Sequence, residues 1–96
     1  MAIIRTTRFT ADPDQAEEII ARRAELISAI RAGFAGLTET RLTRVSEDTW
    51  VDMWRWDSTA NMETALAAAP TLPQAAAAFS LTRDVSAENA ELVDER

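Results

Sequence analysis

Apolar and polar positions along this chain follow two periods, and the switches between them mark its elements. Residues 2–9, Ala-Ile-Ile-Arg-Thr-Thr-Arg-Phe, are rich in β-branched side chains and read as a first strand. Alternation puts Arg5, Thr7 and Phe9 on one face and Ile4, Thr6 and Arg8 on the other. Asp12-Pro13-Asp14-Gln15 is a helix start: Asp12 can cap, Pro13 suits the first helical position, and Gln15 can close a capping box. Apolar residues then recur at Ala16, Ile19, Ile20, Ala24, Ile27, Ile30 and Phe34, a helical stripe. Glu18 and Arg22 form an i,i+4 pair on its wet side. Gly33 and Gly36 fall where this helix should stop.

Residues 37–45 read as a second strand, 46–48 as a hairpin loop and 49–56 as a third strand antiparallel to the second. Asp57 or Ser58 caps a second helix that runs to about Ala69. Pro70 and Pro73 interrupt it, and Gln74 to Phe79 reads as one or two further helical turns. A final strand is expected somewhere in 82–93. The order β-α-β-β-α-β is the split-βαβ pattern of an α+β, ferredoxin-like sandwich. Its four-stranded antiparallel sheet has helices on one face only. A single domain over residues 1–96 accommodates all of it.

The third strand carries the most chemistry. In Thr49-Trp50-Val51-Asp52-Met53-Trp54-Arg55-Trp56, all three tryptophans share a face with Asp52. Burial among indoles disfavours an ionised carboxylate, so its pKa is expected to rise. Asp52 reads either as a general base in an aromatic pocket or as a core carboxylate paired to an arginine. This face belongs under the helices. Val51, Met53 and Arg55 lie on the opposite, open face, where they suit a homodimer interface with Arg55 meeting an acid.

Composition narrows the chemistry. The chain has no cysteine, which excludes disulfides and thiolate metal sites, and no histidine, which removes the usual general base and commonest metal ligand. All basic residues are Arg, so lysine Schiff-base chemistry is excluded. The net charge of −6 is lopsided: residues 1–45 carry +1 and residues 46–96, where three Arg meet ten acids, carry −7. That acidic half argues against nucleic acid or an anionic membrane surface as a partner. No apolar run is long enough for a membrane span, and the N-terminal segment does not read as a signal peptide, so a cytoplasmic location is expected.

Phe9 after Arg8, Pro13 opening a helix, Gly36-Leu37 starting a strand, Trp56-Asp57-Ser58 ending one, and Met62-Glu63-Thr64-Ala65-Leu66 together resemble the antibiotic biosynthesis monooxygenase family of dimeric α/β-barrel domains. The resemblance covers most of residues 3–80, and the Trp-Asp-Ser ending is its most specific piece. It implies oxygenation of anthrones or oxidation of quinols without metal or flavin, hence no cofactor. Other members degrade haem with an Asn, a Trp and a His; this chain has no His. In the oxygenase branch a strand-three Trp follows an Asn by four residues. Trp56 matches the Trp, while Asp52 replaces that Asn and Thr7 replaces an Asn typical of the first strand.

The candidate site is therefore Asp52 and Trp56 as catalytic residues, with Arg5, Thr7 and Trp54 binding a small aromatic substrate. Asp52 would be the base, Arg5 would hold an oxyanion, Trp54 and Trp56 would stack on a flat ring, and Thr7 would bond a substrate oxygen. Arg5 and Arg41 also read as ion-pair or interface residues, Asn61 as a first-turn residue bonding locally, and the alanines 75–78 as packing. Two other functions need the same aromatic cavity: a dimeric small-molecule-binding domain without turnover, and an isomerase or cyclase of the same barrel superfamily.

Overall fold

The computed structural model describes residues 1–96. It has four strands, β1 (Ile3–Thr10), β2 (Leu37–Arg44), β3 (Thr49–Trp56) and β4 (Arg83–Glu91). Its helices are α1 (Ala16–Gly33), α2 (Thr59–Ala68) and α3 (Pro73–Phe79), with 3₁₀ turns before α1 and α3. The strands form one antiparallel sheet in the order β2-β3-β1-β4. This is the expected α+β, ferredoxin-like arrangement.

Local chemistry sets the boundaries. Asp12 accepts from the Asp14 N–H at 3.0 Å, and Pro13 opens the turn that leads into α1. Ser58 caps α2 by accepting from the Asn61 N–H at 3.1 Å. Asn61 donates locally to Asp57 Oδ1 at 2.9 Å, as its first-turn position predicts. Gly36 has φ +106°, and a Cβ there would lie 2.5 Å from Asp57 Oδ1 and 2.7 Å from Asn61 Cβ. Glycine is thus required both by backbone conformation and by the close approach of the α2 entry.

The tryptophan face lies under the helices. Trp56 is fully buried, Trp50 is 5% exposed, and Asp52 meets a side chain of α1. The core falls into two clusters. One joins Leu26, Ile27 and Ile30 of α1 to Leu37, Trp56, Met62, Ala65 and Ala75. The other joins Phe9, Ala11, Ile19 and Trp50, in which the Phe9 and Trp50 rings stack at 6.4 Å. Arg44 covers Trp50 from 4.6 Å, a cation–π contact.

The apolar stripe of α1 differs from the expected one. Leu26 is buried, whereas Ile20 is 53% exposed and Ala24 is also exposed. The helix presents Ile19, Arg23, Leu26, Ile27 and Ile30 to the sheet, so Arg23 sits inside the buried stripe. The Glu18–Arg22 pair forms at 2.7 Å. Arg22 does more than face water: its Nη1 donates to the Ala77 carbonyl at 3.0 Å and to Ser80 Oγ at 3.1 Å. One guanidinium thereby ties α1 to the C-terminal end of α3, where a cation also complements the helix dipole.

On the open face, Arg55 finds its acid within the chain, donating to Glu95 of the C-terminal segment at 2.5 Å. Arg41 pairs with Glu39 beside it. The edge strand β4 is exposed throughout and carries a bulge, with Asp84 and Val85 opposite the single residue Phe9. Asp84 takes φ 53°, and Thr10 Oγ1 donates to the Arg83 carbonyl at 3.1 Å and to Asp84 Oδ2 at 3.2 Å. The bulge keeps Val85 on the helix-covered face alongside Phe9. No helix is long and apolar enough to cross a membrane.

Candidate active site

Between the two core clusters lies a cavity of about 150 Å³, lined from both. Strand register brings its sheet wall together. Thr7 pairs with Asp52, Arg5 with Trp54, and Ile3 with Trp56 across β1 and β3. Directly opposed residues share a face, so Arg5, Thr7, Asp52, Trp54 and Trp56 converge from two adjacent strands. All five line the cavity. Its roof is made of Leu26 and Ile30 from α1 and the small side chains Ala65, Ala75 and Ala78 from α2 and α3. The alanines expected only to pack are what leaves the space open. Phe79, 52% exposed, and Val85, 46% exposed, bring the lining to the surface beside β4.

Asp52 is held by Arg23. Nε donates to Oδ2 and Nη2 to Oδ1, each at 3.0 Å, a bidentate pair with side chains only 18% and 14% exposed. Of the two readings of Asp52, the paired carboxylate is the one observed in this resting geometry. Each carboxylate oxygen retains a second lone pair, so the pair can still accept a ligand hydroxyl. Arg23 was not among the residues singled out by sequence. Its signal was present, since it lies four residues after Ile19 and three and four before Leu26 and Ile27.

Arg5 forms no ion pair. Its Nη1 donates to Asn89 Oδ1 of β4 at 2.9 Å, a neutral partner directly opposite in register. Thr7 Oγ1 bonds to no protein group, since every other threonine contact lies elsewhere. Trp54 and Trp56 stand 6.4 Å apart at 42°, so they form a corner and not a parallel slot. The indole N–H groups of Trp50 and Trp56 are buried with no acceptor. An unmade buried hydrogen bond costs about 1–3 kcal/mol, which the surrounding packing must offset.

No family model and no curated protein matches the chain by sequence. Solved structures do match by shape. SnoaB of Streptomyces nogalater, a cofactor-independent oxygenase, aligns with a TM-score of 0.75 at 21% identity, over 98% of this chain and 95% of its own. A candidate antibiotic biosynthesis monooxygenase of Caulobacter crescentus CB15 reaches a TM-score of 0.80 at 17% identity, over 97% and 91%. Another from Deinococcus radiodurans gives 0.73 at 21%, over 98% and 95%. The expected resemblance is met along nearly the whole chain, and the fold is that of the antibiotic biosynthesis monooxygenases.

Proposed function

We propose that this chain is a cofactor-independent monooxygenase acting on a small hydroxylated aromatic. The convergence of Arg5, Thr7, Asp52, Trp54 and Trp56 on one apolar cavity carries the reading. The fold shared with a cofactor-independent oxygenase supports it. Of the two expected substrate types, the quinol-like one suits the volume better. A cavity of about 150 Å³ holds a single benzene-sized ring. Three fused rings of an anthrone would have to extend past Phe79 and Val85 at its open mouth.

In the proposed reaction a substrate hydroxyl gives its proton to Asp52. That step leaves Arg23 without its countercharge, beside the new substrate oxyanion. The guanidinium then stabilises the anion in place of the carboxylate, in a site with little water to screen it. The electron-rich anion reduces O2 and forms a C–O bond at a ring carbon, giving a hydroperoxide. The O–O bond breaks with loss of water and leaves a carbonyl. A quinol and O2 thus become a hydroxyquinone and water, with all four electrons supplied by the substrate. Trp54 and Trp56 bound the ring, and Thr7 bonds one of its oxygens. The chain acts in this proposal as a homodimer through the open sheet face. Ile4, Val51 and Met53 are half-buried there and flanked by the Arg41–Glu39 pair, and sedimentation of the purified chain tests that part.

The experiment is O2 uptake with a hydroquinone, after subtraction of autoxidation, using ¹⁸O2 to follow one label into product. Wild type should exceed background, and Asp52→Asn and Trp56→Phe should fall towards it with unchanged far-UV circular dichroism. Undiminished rates in both variants, or no uptake by wild type, would refute the proposal. A binding domain without turnover is the second reading, favoured by the engagement of both Asp52 oxygens with Arg23. It predicts saturable quenching of tryptophan fluorescence by hydroquinones with no uptake.

A further inference from the structure

The titratable side chains on the cavity wall are Arg5, Arg23 and Asp52. Arg23 and Asp52 neutralise each other at 3.0 Å. Arg5 is left as an uncompensated, half-buried cation in a chain whose net charge is −6. The five ion pairs of the structure engage Arg22, Arg23, Arg41, Arg55 and Arg96, and Arg5 is in none of them. Its one bond, to Asn89, uses a single N–H of five and a neutral acceptor.

A guanidinium fork with free donors, on the wall of an apolar cavity, matches a carboxylate. Its surroundings define the rest of the ligand. Trp54 lies directly across from it in register and offers an indole face or edge to a ring. Thr7 is the next residue of the same face, about 7 Å along the strand. Asp52 lies diagonally from Arg5, about 7–8 Å away at the backbone. A single ring spans such a separation, with an acid group at one end and a hydroxyl at the other. The volume of about 150 Å³ matches one ring, with the exposed Phe79 and Val85 at its open mouth.

We propose that this cavity selects a single-ring aromatic carboxylate, with Arg5 holding the carboxylate and Thr7 and Asp52 the distal hydroxyl. The proposal rests on the reading of this cavity as the substrate site, and it is independent of whether oxygen chemistry follows.

The test is binding, measured by calorimetry and tryptophan quenching on the intact chain. The probes are 4-hydroxybenzoate, its neutral amide 4-hydroxybenzamide, and 6-hydroxy-2-naphthoate. The carboxylate should bind at least about tenfold more tightly than the amide, because a charge-assisted bidentate bond replaces a neutral one. The two-ring acid should bind more weakly than the one-ring acid. Arg5→Gln should bring the acid-to-amide ratio near unity. Asn89→Asp keeps Arg5 in place and gives it an acid partner, and it should lower the ratio too. Arg8→Gln, on the opposite face, should leave it unchanged. Equal affinities for acid and amide, a ratio that survives both Arg5→Gln and Asn89→Asp, or tighter binding of the naphthoate would overturn the proposal. Acid-selective binding without O2 uptake would reject the oxygenase reading alone. O2 uptake by neutral quinols with no acid preference would reject this inference alone.

Discussion

Replacing Arg23 with methionine keeps most of the side-chain volume and removes the charge that faces Asp52. Breaking a buried ion pair by deleting one partner costs about 3–5 kcal/mol, because the other charge is left unpaired in a poor solvent. Here the two side chains retain 18% and 14% of their exposure, so water can partly solvate the orphaned carboxylate. The expected loss is nearer about 2–3 kcal/mol. A domain of this size has a total stability of about 5–15 kcal/mol, so the variant should still fold. At about 4–8 °C per kcal/mol, its Tm should fall by roughly 10–20 °C. The double variant Arg23→Met with Asp52→Leu removes both charges and needs no compensation, so it should come within about 1 kcal/mol of wild type. Urea unfolding of these two and of Asp52→Leu alone, followed by tryptophan fluorescence, gives the losses and the coupling between the sites. A single variant within about 0.5 kcal/mol of wild type, or a double variant whose loss equals the sum of the singles, would show that the pair is not mutually dependent. The account of charge transfer from Asp52 to a substrate oxyanion would then lose its basis.

Three further outcomes follow from the same geometry. Arg22→Ala removes the two bonds to the end of α3 and should cost about 1–2 kcal/mol, with faster amide exchange confined mainly to residues 73–80; uniform exchange across the sheet would refute a local tether. Ala78→Leu should fill part of the cavity roof, stabilise the chain by about 0.5–2 kcal/mol and abolish ring binding, and retained binding at wild-type affinity would place the ligand elsewhere. Asp48 accepts hydroxyl bonds, the larger effect from Thr49 and the smaller from Ser46, which hold its carboxyl below the ordinary 3.8. Its stabilisation of the hairpin is therefore complete at neutral pH and disappears as pH falls through that lowered value. The stability gap between wild type and Asp48→Asn should close in acid, and a gap that stays constant down to about pH 2 would contradict this.

Alternation and turn chemistry made most of the fold legible. Strand faces have a period of two, so grouping Asp52 with Trp50, Trp54 and Trp56 required no knowledge of what lay above them. The same logic grouped Arg5 with Thr7, and antiparallel pairing then brought the two sets to one cavity. What alternation cannot supply is the contact between layers. Which α1 residue stands over Asp52 depends on the rotation and crossing of the helix, so Arg23 stayed hidden although it interrupts an apolar stripe. The buried stripe departs from the apolar pattern at Ile20 and Ala24, because the helix is apolar over a wider arc than the sheet covers. The final strand is the least marked element. Its sequence Arg-Asp-Val-Ser-Ala-Glu-Asn-Ala-Glu has little β-propensity, and every residue in it is exposed. Backbone pairing with β1 holds it there, and that pairing leaves almost no mark in side-chain pattern. Asn89, the partner of Arg5, was concealed with it.

The charges of this chain act on two length scales, and they oppose each other. Seen from a distance the protein is acidic, above all in residues 46–96, and an approaching anion is repelled. At physiological ionic strength that repulsion is screened within about 8 Å. Inside the cavity the walls are mostly apolar, and screening is weaker than in bulk water. The paired Asp52 and Arg23 nearly cancel at ligand distance, which leaves Arg5 as the dominant charge felt by a molecule already seated against Trp54. Overall charge is thus a poor guide to what the cavity holds. An acidic chain with one uncompensated guanidinium in an apolar pocket gains specificity from contact and gives up steering. On the proposal above, its ligand is small enough to bring an acid group within hydrogen-bonding distance of Arg5, because the net charge of the chain supplies no long-range attraction.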